Sequence, residues 1–192
     1  MHPLLQILLS KFDTLTPAEA EAIAVHLPVQ DFKKGQVLLS EGQVPDVCYF
    51  VLKGCVRQYQ LLDGEEKTTA FFTEDQAVAD FSLYTQQLSS PHYWVCLEDC
   101  SLLAGRLDIE QEMYARFPKL LQITRHMMEQ DFGRTRDDFT AFILLSPEER
   151  YLNLLQKRPD LLQRAPQHQI ASYLGITPES LSRIRKRISQ KK

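Results

Sequence analysis

The side chains best placed by type and spacing to do chemistry lie near the C-terminus. In the run from Thr177 to Ile188, Glu179, Ser182, Arg183 and Lys186 recur at steps of three and four residues. Leu181, Ile184 and Ile188 take the intervening apolar positions. On a helix this spacing sets a polar face opposite a buried one. An arginine can pair bidentately with O6 and N7 of guanine, and a glutamate can accept from N4 of cytosine. Thr177 and Pro178 stand at the tip of that helix. Lys186, Arg187, Lys191 and Lys192 suit phosphates, which supply affinity but little sequence information. The chemistry on offer is recognition of a polyanion rather than bond making.

Charge is distributed to match. From Arg164 onward there are seven basic residues and one acid, Glu179, a local charge of +6 in a chain whose net charge is −3, so residues 1–163 carry −9. A basic terminus alone is often only solvated. Here the charge sits on a patterned helix, which favours a nucleic-acid partner.

The residues just upstream explain how such a helix would be presented. Ile170 and Leu174 form an apolar stripe, and Ala171 is small where a second helix must cross closely. Gly175 can take the positive φ of a tight interhelical turn. Ile176 plugs the turn, and Thr177-Pro178 caps and starts the next helix. Together these are the requirements of a helix-turn-helix.

Signals for other chemistry are missing. Between Asp31 and Arg106 the only histidine is His92, so a cupin-like metal triad has no ligands, and no metal site is expected. There is no G-x-S-x-G, P-loop or G-x-G-x-x-G. The chain is therefore read as a non-enzyme. The longest strictly apolar stretch is Ala141 to Leu145, far short of a bilayer span. The N-terminus shows no secretory signal. With 44% hydrophobic and 24% charged residues in 192, a folded cytoplasmic protein without membrane partners is expected. Four cysteines in that setting read as reduced, buried thiols.

The elements that must position the reader are an α+β set. Gln36–Ser40, Cys48–Leu52, Cys55–Leu61, Thr68–Phe72, Tyr93–Leu97 and Ser101–Arg106 are strand-like, and Asp63-Gly64 is a hairpin signal. Such short strands suggest a jelly roll, with a short helix between Asp80 and Ser90. Thr16-Pro17-Ala18-Glu19 and Ser146-Pro147-Glu148-Glu149 are helix starts. From Pro118, the residues Leu121, Arg125, Met128, Phe132, Thr135, Phe139 and Phe142 recur at alternating steps of four and three. A helix of that span runs ~40 Å, and its apolar seam predicts a homodimer through a second copy. The division expected is a β-roll effector domain over 1–117, a dimerisation helix over 118–145 and a helix-turn-helix domain over 146–192.

This order of parts resembles the CRP/FNR bacterial transcription regulators over nearly the whole chain. The barrel matches rest on Lys34-Gly35, Glu41-Gly42, Tyr49 to Arg57 and Asp63-Gly64-Glu65. The reader matches rest on Ile170-Ala171, Leu174-Gly175 and Glu179 to Ile184. The resemblance implies a cyclic-nucleotide-binding-like barrel that senses a small-molecule effector, a dimer on double-stranded DNA, and RNA polymerase as a further partner. It carries the base-contacting glutamate and arginine onto Glu179 and Arg183. At the tip, Pro178 stands where an arginine or similar residue is usual. The chain ends just past this helix, so a reader without a β-hairpin wing is expected.

In family members that bind cyclic AMP, a Gly-Glu pair holds the ribose and an arginine followed by a small hydroxyl residue holds the phosphate. The matching positions here are Ala79-Asp80 and Pro91-His92. No arginine is present, and the lack of a charge-assisted bidentate partner for the phosphate argues against cyclic AMP. The residues name no effector in its place, so the barrel reads as a sensor of another molecule or as a scaffold. A regulatory barrel that acts on a protein partner without binding DNA is the alternative.

Overall fold

The computed structural model describes residues 2–11 and 15–190. It opens with two short helices, α1 (Pro3–Ser10) and α2 (Pro17–His26). The capping box expected at Thr16 forms: its hydroxyl accepts from the Glu19 amide, and the Glu19 carboxylate accepts from the Thr16 amide at 2.8 Å. Leu5, Leu8 and Leu9 bury one face of α1.

Eight strands follow: β1 (Val29–Phe32), β2 (Val37–Leu39), β3 (Val47–Lys53), β4 (Val56–Leu62), β5 (Glu65–Phe72), β6 (Ala77–Val78), β7 (Tyr93–Cys96) and β8 (Cys100–Arg106). They form two four-stranded antiparallel sheets, ordered β1-β8-β3-β6 and β2-β7-β4-β5. The jelly roll is therefore the observed architecture. Two strands escaped the sequence pattern. β1 carries the polar pair Gln30-Asp31 at a sheet edge, and β6 is two residues long. Asp63 and Gly64 both have positive φ, as the β4–β5 hairpin requires. Helix α3 (Phe81–Gln86) occupies the interval after β6.

Between the sheets, Val51, Val56, Val78, Trp94 and Leu102 are almost completely buried. The indole nitrogen of Trp94 donates to Gln58 Oε1 at 2.9 Å. The next residues along β3 and β8, Phe50 and Leu103, pair across the strands and point the other way, under α1.

A 3₁₀ turn (Leu107–Ile109) and α4 (Glu110–Arg116) lead into α5 (Pro118–Leu144), a helix of 27 residues. One of its faces packs inward through Leu120 and Ile123. The other carries the seam: Leu121 is 47% exposed, Met128 42%, Phe132 72%, Phe139 65% and Phe142 46%. Thr135 is also exposed. Among the described residues, no helix is long and apolar enough to cross a membrane.

Helices α6 (Pro147–Lys157), α7 (Leu161–Arg164), α8 (Gln167–Tyr173) and α9 (Pro178–Gln190) complete the chain. Ser146 and Glu149 form the second capping box. Tyr151, Leu154, Leu161, Ile170, Ala171, Leu174, Leu181 and Ile184 share one core, and Phe71 of the barrel joins it.

Candidate nucleic-acid interface

The turn between α8 and α9 is closed by a Schellman motif. The Ile176 amide donates to Ala171 O and the Gly175 amide to Ser172 O, both at 3.0 Å. Gly175 has φ +68°, and a Cβ there would lie 3.1 Å from the Phe142 ring and 3.2 Å from Arg150 Nη1. Glycine is required for both its backbone angle and its absent side chain. Beyond the turn, the Thr177 hydroxyl accepts from the Ser180 amide at 3.2 Å, capping α9. Thr177 is thus a cap that fixes the start of the helix, with Pro178 in its first turn.

Leu181 and Ile184 bury one side of α9. The opposite side holds Pro178, Glu179, Ser182, Arg183 and Lys186, all exposed. The carboxyl of Glu179 lies below the ordinary glutamate range because it accepts from its own backbone amide and from Thr177, with Arg183 adding attraction. It is an anion at neutral pH, available as an acceptor beside a guanidinium. Ser189 and Gln190 extend the exposed part of the helix, positions the sequence pattern does not single out.

Two of the basic residues counted from sequence face other partners. Arg187 Nη2 lies 2.7 Å from Glu148 Oε2 at the start of α6. Arg164 is clasped by Glu74 and Glu98 of the barrel and by Asp160, at 2.8 Å from Glu74 Oε2. The exposed basic side chains along α9 are Arg183, Arg185, Lys186 and Arg187, the last of them paired with Glu148. Lys191 and Lys192 lie outside the described residues.

The helix-turn-helix is held to the barrel by residues that sequence spacing could not flag. The edge strand β5 offers the Thr68 amide to the Ser172 hydroxyl of α8 at 2.9 Å. Arg158 Nη1 donates to Phe71 O at 3.1 Å. Phe71 and Tyr173 meet edge to face, with centroids 5.3 Å apart. Serine, arginine and tyrosine at these positions look like ordinary surface residues until the strand edge beside them is known.

In the barrel, the four effector-pocket candidates lie on either side of α3, at the end of β6 and before β7. Asp80 and His92 interact electrostatically. Asp80 Oδ1, however, accepts from the Leu83 amide at 3.2 Å and the Ser82 hydroxyl at 2.9 Å, so it caps α3. The His92 amide donates to the buried Ser90 hydroxyl at 3.0 Å. The ring Nδ1 of His92 is buried without a partner, and burial lowers the imidazole pKa against the opposing pull of Asp80. Ala79 is half-buried and Pro91 exposed.

Cys55, Cys96 and Cys100, which the sequence places on separate strands, come together; Cys55 stands just before β4 rather than within it. Cys100 Sγ donates to Cys55 O at 3.6 Å and to Glu98 O at 3.3 Å, and the Cys96 and Cys100 thiols interact. Burial pushes the Cys55 thiol up to about 12. Among the described residues, no group of His, Cys, Asp and Glu is arranged to hold a metal ion.

Comparison with known proteins agrees with this architecture. Residues 29–116 match the cyclic nucleotide-binding domain family. The chain is 25% identical over 169 residues to the anaerobic regulatory protein of Haemophilus influenzae, covering 82% of this chain and 64% of that protein's length, less than two thirds. It is 25% identical over 182 residues to the cyclic AMP receptor protein of Thermus thermophilus, covering 90% and 82%. A CooA mutant from Carboxydothermus hydrogenoformans superposes with a TM-score of 0.72 at 15% identity, over 97% of this chain and 84% of that one, a likeness of fold. Barrel, long connecting helix and helix-turn-helix, in that order and with these relatives, make the chain similar to the CRP/FNR transcription regulators, with a cyclic nucleotide-binding domain over residues 29–116.

Proposed function

We propose that this protein is a homodimeric, sequence-specific DNA-binding regulator in which α9 reads the major groove. The observation that carries the reading is the exposed Glu179–Arg183 face of α9, held at a fixed attitude by the Schellman turn and the Thr177 cap. Arg183 is assigned to guanine and Glu179 to cytosine, with Lys186 on the phosphate backbone. The exposed seam from Leu121 to Phe142 supports a two-fold pairing of α5 helices, since large apolar side chains in a row are otherwise left in water. Two readers so joined would address half-sites about one helical turn, roughly 34 Å, apart. In this reading the chain catalyses no reaction.

The barrel residues do not fit cyclic AMP. Asp80 is committed to capping α3, Pro91 and His92 offer no guanidinium for a phosphate, and Trp94 fills the space between the sheets. A different effector, or none, is implied. Any effector acts by binding one arrangement of the α5 pair better than another.

The test is selection of binding sites from random duplex DNA at near-physiological salt by the purified chain without added ligand. Recovery of a roughly palindromic site supports the reading. If only salt-sensitive, unspecific sequences emerge, and adding candidate effectors does not change this, DNA is not the partner.

A further inference from the structure

The first sheet of the barrel has a second face, and it is not closed flat. Behind Phe50 and Leu103, between α1, α2 and the first half of α5, lies a cavity of about 140 Å³. Its walls include Leu5, Leu8, Ile123 and Met127. Among the described residues, none that lines it is acidic, and the one charged side chain on its wall is Arg106. The Arg106 guanidinium is occupied by Asp108, at 2.9 Å from Nε and 2.6 Å from Nη2. The space is partly open at its mouth and its wall is mostly apolar; a water molecule needs two to four polar partners to be held, and an apolar space of about 150 Å³ takes up benzene. Atoms lining such a void forgo dispersion contacts that a fitting guest would restore.

This space is separate from the barrel lumen, which lies on the other side of the sheet and contains Trp94. It also touches the helix that bears the seam. Met128 lines the cavity and is nevertheless 42% exposed on the seam side of α5. Methionine is unbranched and adapts readily to what fills the space beside it.

We propose that this cavity is an effector site for a small uncharged apolar molecule, about the size of one aromatic ring, and that its occupancy is transmitted through Met127 and Met128 to the exposed seam of α5. Binding of the guest requires no DNA; its transmission rests on α5 being the dimer helix.

The probe is fluorobenzene, titrated into the full chain and followed by fluorine NMR, with self-association measured in parallel by sedimentation. Thr124→Leu and Ala77→Leu fill the cavity from opposite walls, so that one variant remains informative should the other fail to fold. The expected result is saturable binding by the wild type, weakened at least tenfold in a folded filled variant, and a change of threefold or more in the self-association constant on saturation. No saturable binding, or equal binding by the folded filled variants, overturns the site. Saturable binding with self-association unchanged within twofold overturns the transmission. A chain that binds fluorobenzene yet is monomeric throughout overturns the dimer reading and leaves the site standing.

Discussion

The guanidinium of Arg150 lies 4.4 Å over the ring of Phe142 and donates from Nη1 to the Leu174 carbonyl at 2.7 Å. One side chain thereby ties the end of the long helix to the turn that precedes α9. Gly175 lies against the same ring, so the end of α5 and the turn before α9 are packed on one group. Replacing Arg150 by methionine keeps the aliphatic stem and leaves the Leu174 carbonyl without this donor. The loss is about 1–2 kcal/mol, near the low end for an unsatisfied group, because Arg150 Nε is itself buried without a partner. Gly175→Ala adds a positive-φ penalty of about 1–2 kcal/mol and a close approach to Phe142. Both variants should show lower thermal midpoints in calorimetry and weaker operator binding.

Phe132 is the most exposed aromatic residue of the seam, at 72%. Phe132→Glu places a like charge opposite itself in a parallel two-fold pairing of α5 helices. The expected outcome is a monomer in sedimentation, with intact circular dichroism and operator affinity reduced at least tenfold. A dimer with unchanged DNA binding would sink the seam.

Arg183 and Lys186 share a face but are assigned different work. Arg183→Ala should cost about 1–3 kcal/mol of discrimination at one base pair per half-site and leave unspecific binding largely intact. Lys186→Gln should weaken all sequences alike and reduce the salt slope of log K by about one for each phosphate that the lysine neutralises. Competition assays on the selected site and a scrambled duplex, over a salt series, separate the two.

Glu74 sits between the barrel and the helical region, accepting from Arg164 and from the Gly54 amide. Burial pushes its pKa up, but those hydrogen bonds outweigh it and hold the carboxyl below the ordinary glutamate range. A group depressed in the folded state stabilises it above the unfolded pKa and loses that contribution as pH falls through the folded value. The clasp should be complete at neutral pH and weaken progressively below the usual glutamate range. Urea unfolding as a function of pH should show this loss, and Glu74→Gln should flatten the acid limb.

Cys55, pushed up to about 12 by burial, is almost wholly protonated at neutral pH. The thiolate is the reacting form. Mass mapping after a brief treatment with iodoacetamide should leave Cys55 unmodified in the native protein and alkylated in urea. Labelling at equal rates in both states would contradict its burial.

The parts that local rules govern were legible in order. Both capping boxes follow from Thr16-Pro17 with Glu19 and Ser146-Pro147 with Glu149, because a cap is completed within four residues. The helix-turn-helix was legible for the same reason: Gly175, Thr177 and the spacing of Leu181 and Ile184 are set by one turn and one helix period. Strands β1 and β6 were not, since four half-polar residues and a two-residue edge carry no usable period. The capping of α3 by Asp80 was not legible either, because it depends on where that helix starts.

Sequence alone determined the polar face of α9, the apolar row along α5 and the lack of an arginine at positions 79–80 and 91–92, because each is a matter of residue type at a local period. Only the tertiary structure decided that Arg164 and Arg187 are occupied, that three cysteines meet, and that a cavity stands behind Phe50 and Leu103. Those facts depend on partners as distant as Glu74 is from Arg164. No periodicity along the chain records which sheet edge or helix end folds back against a given side chain.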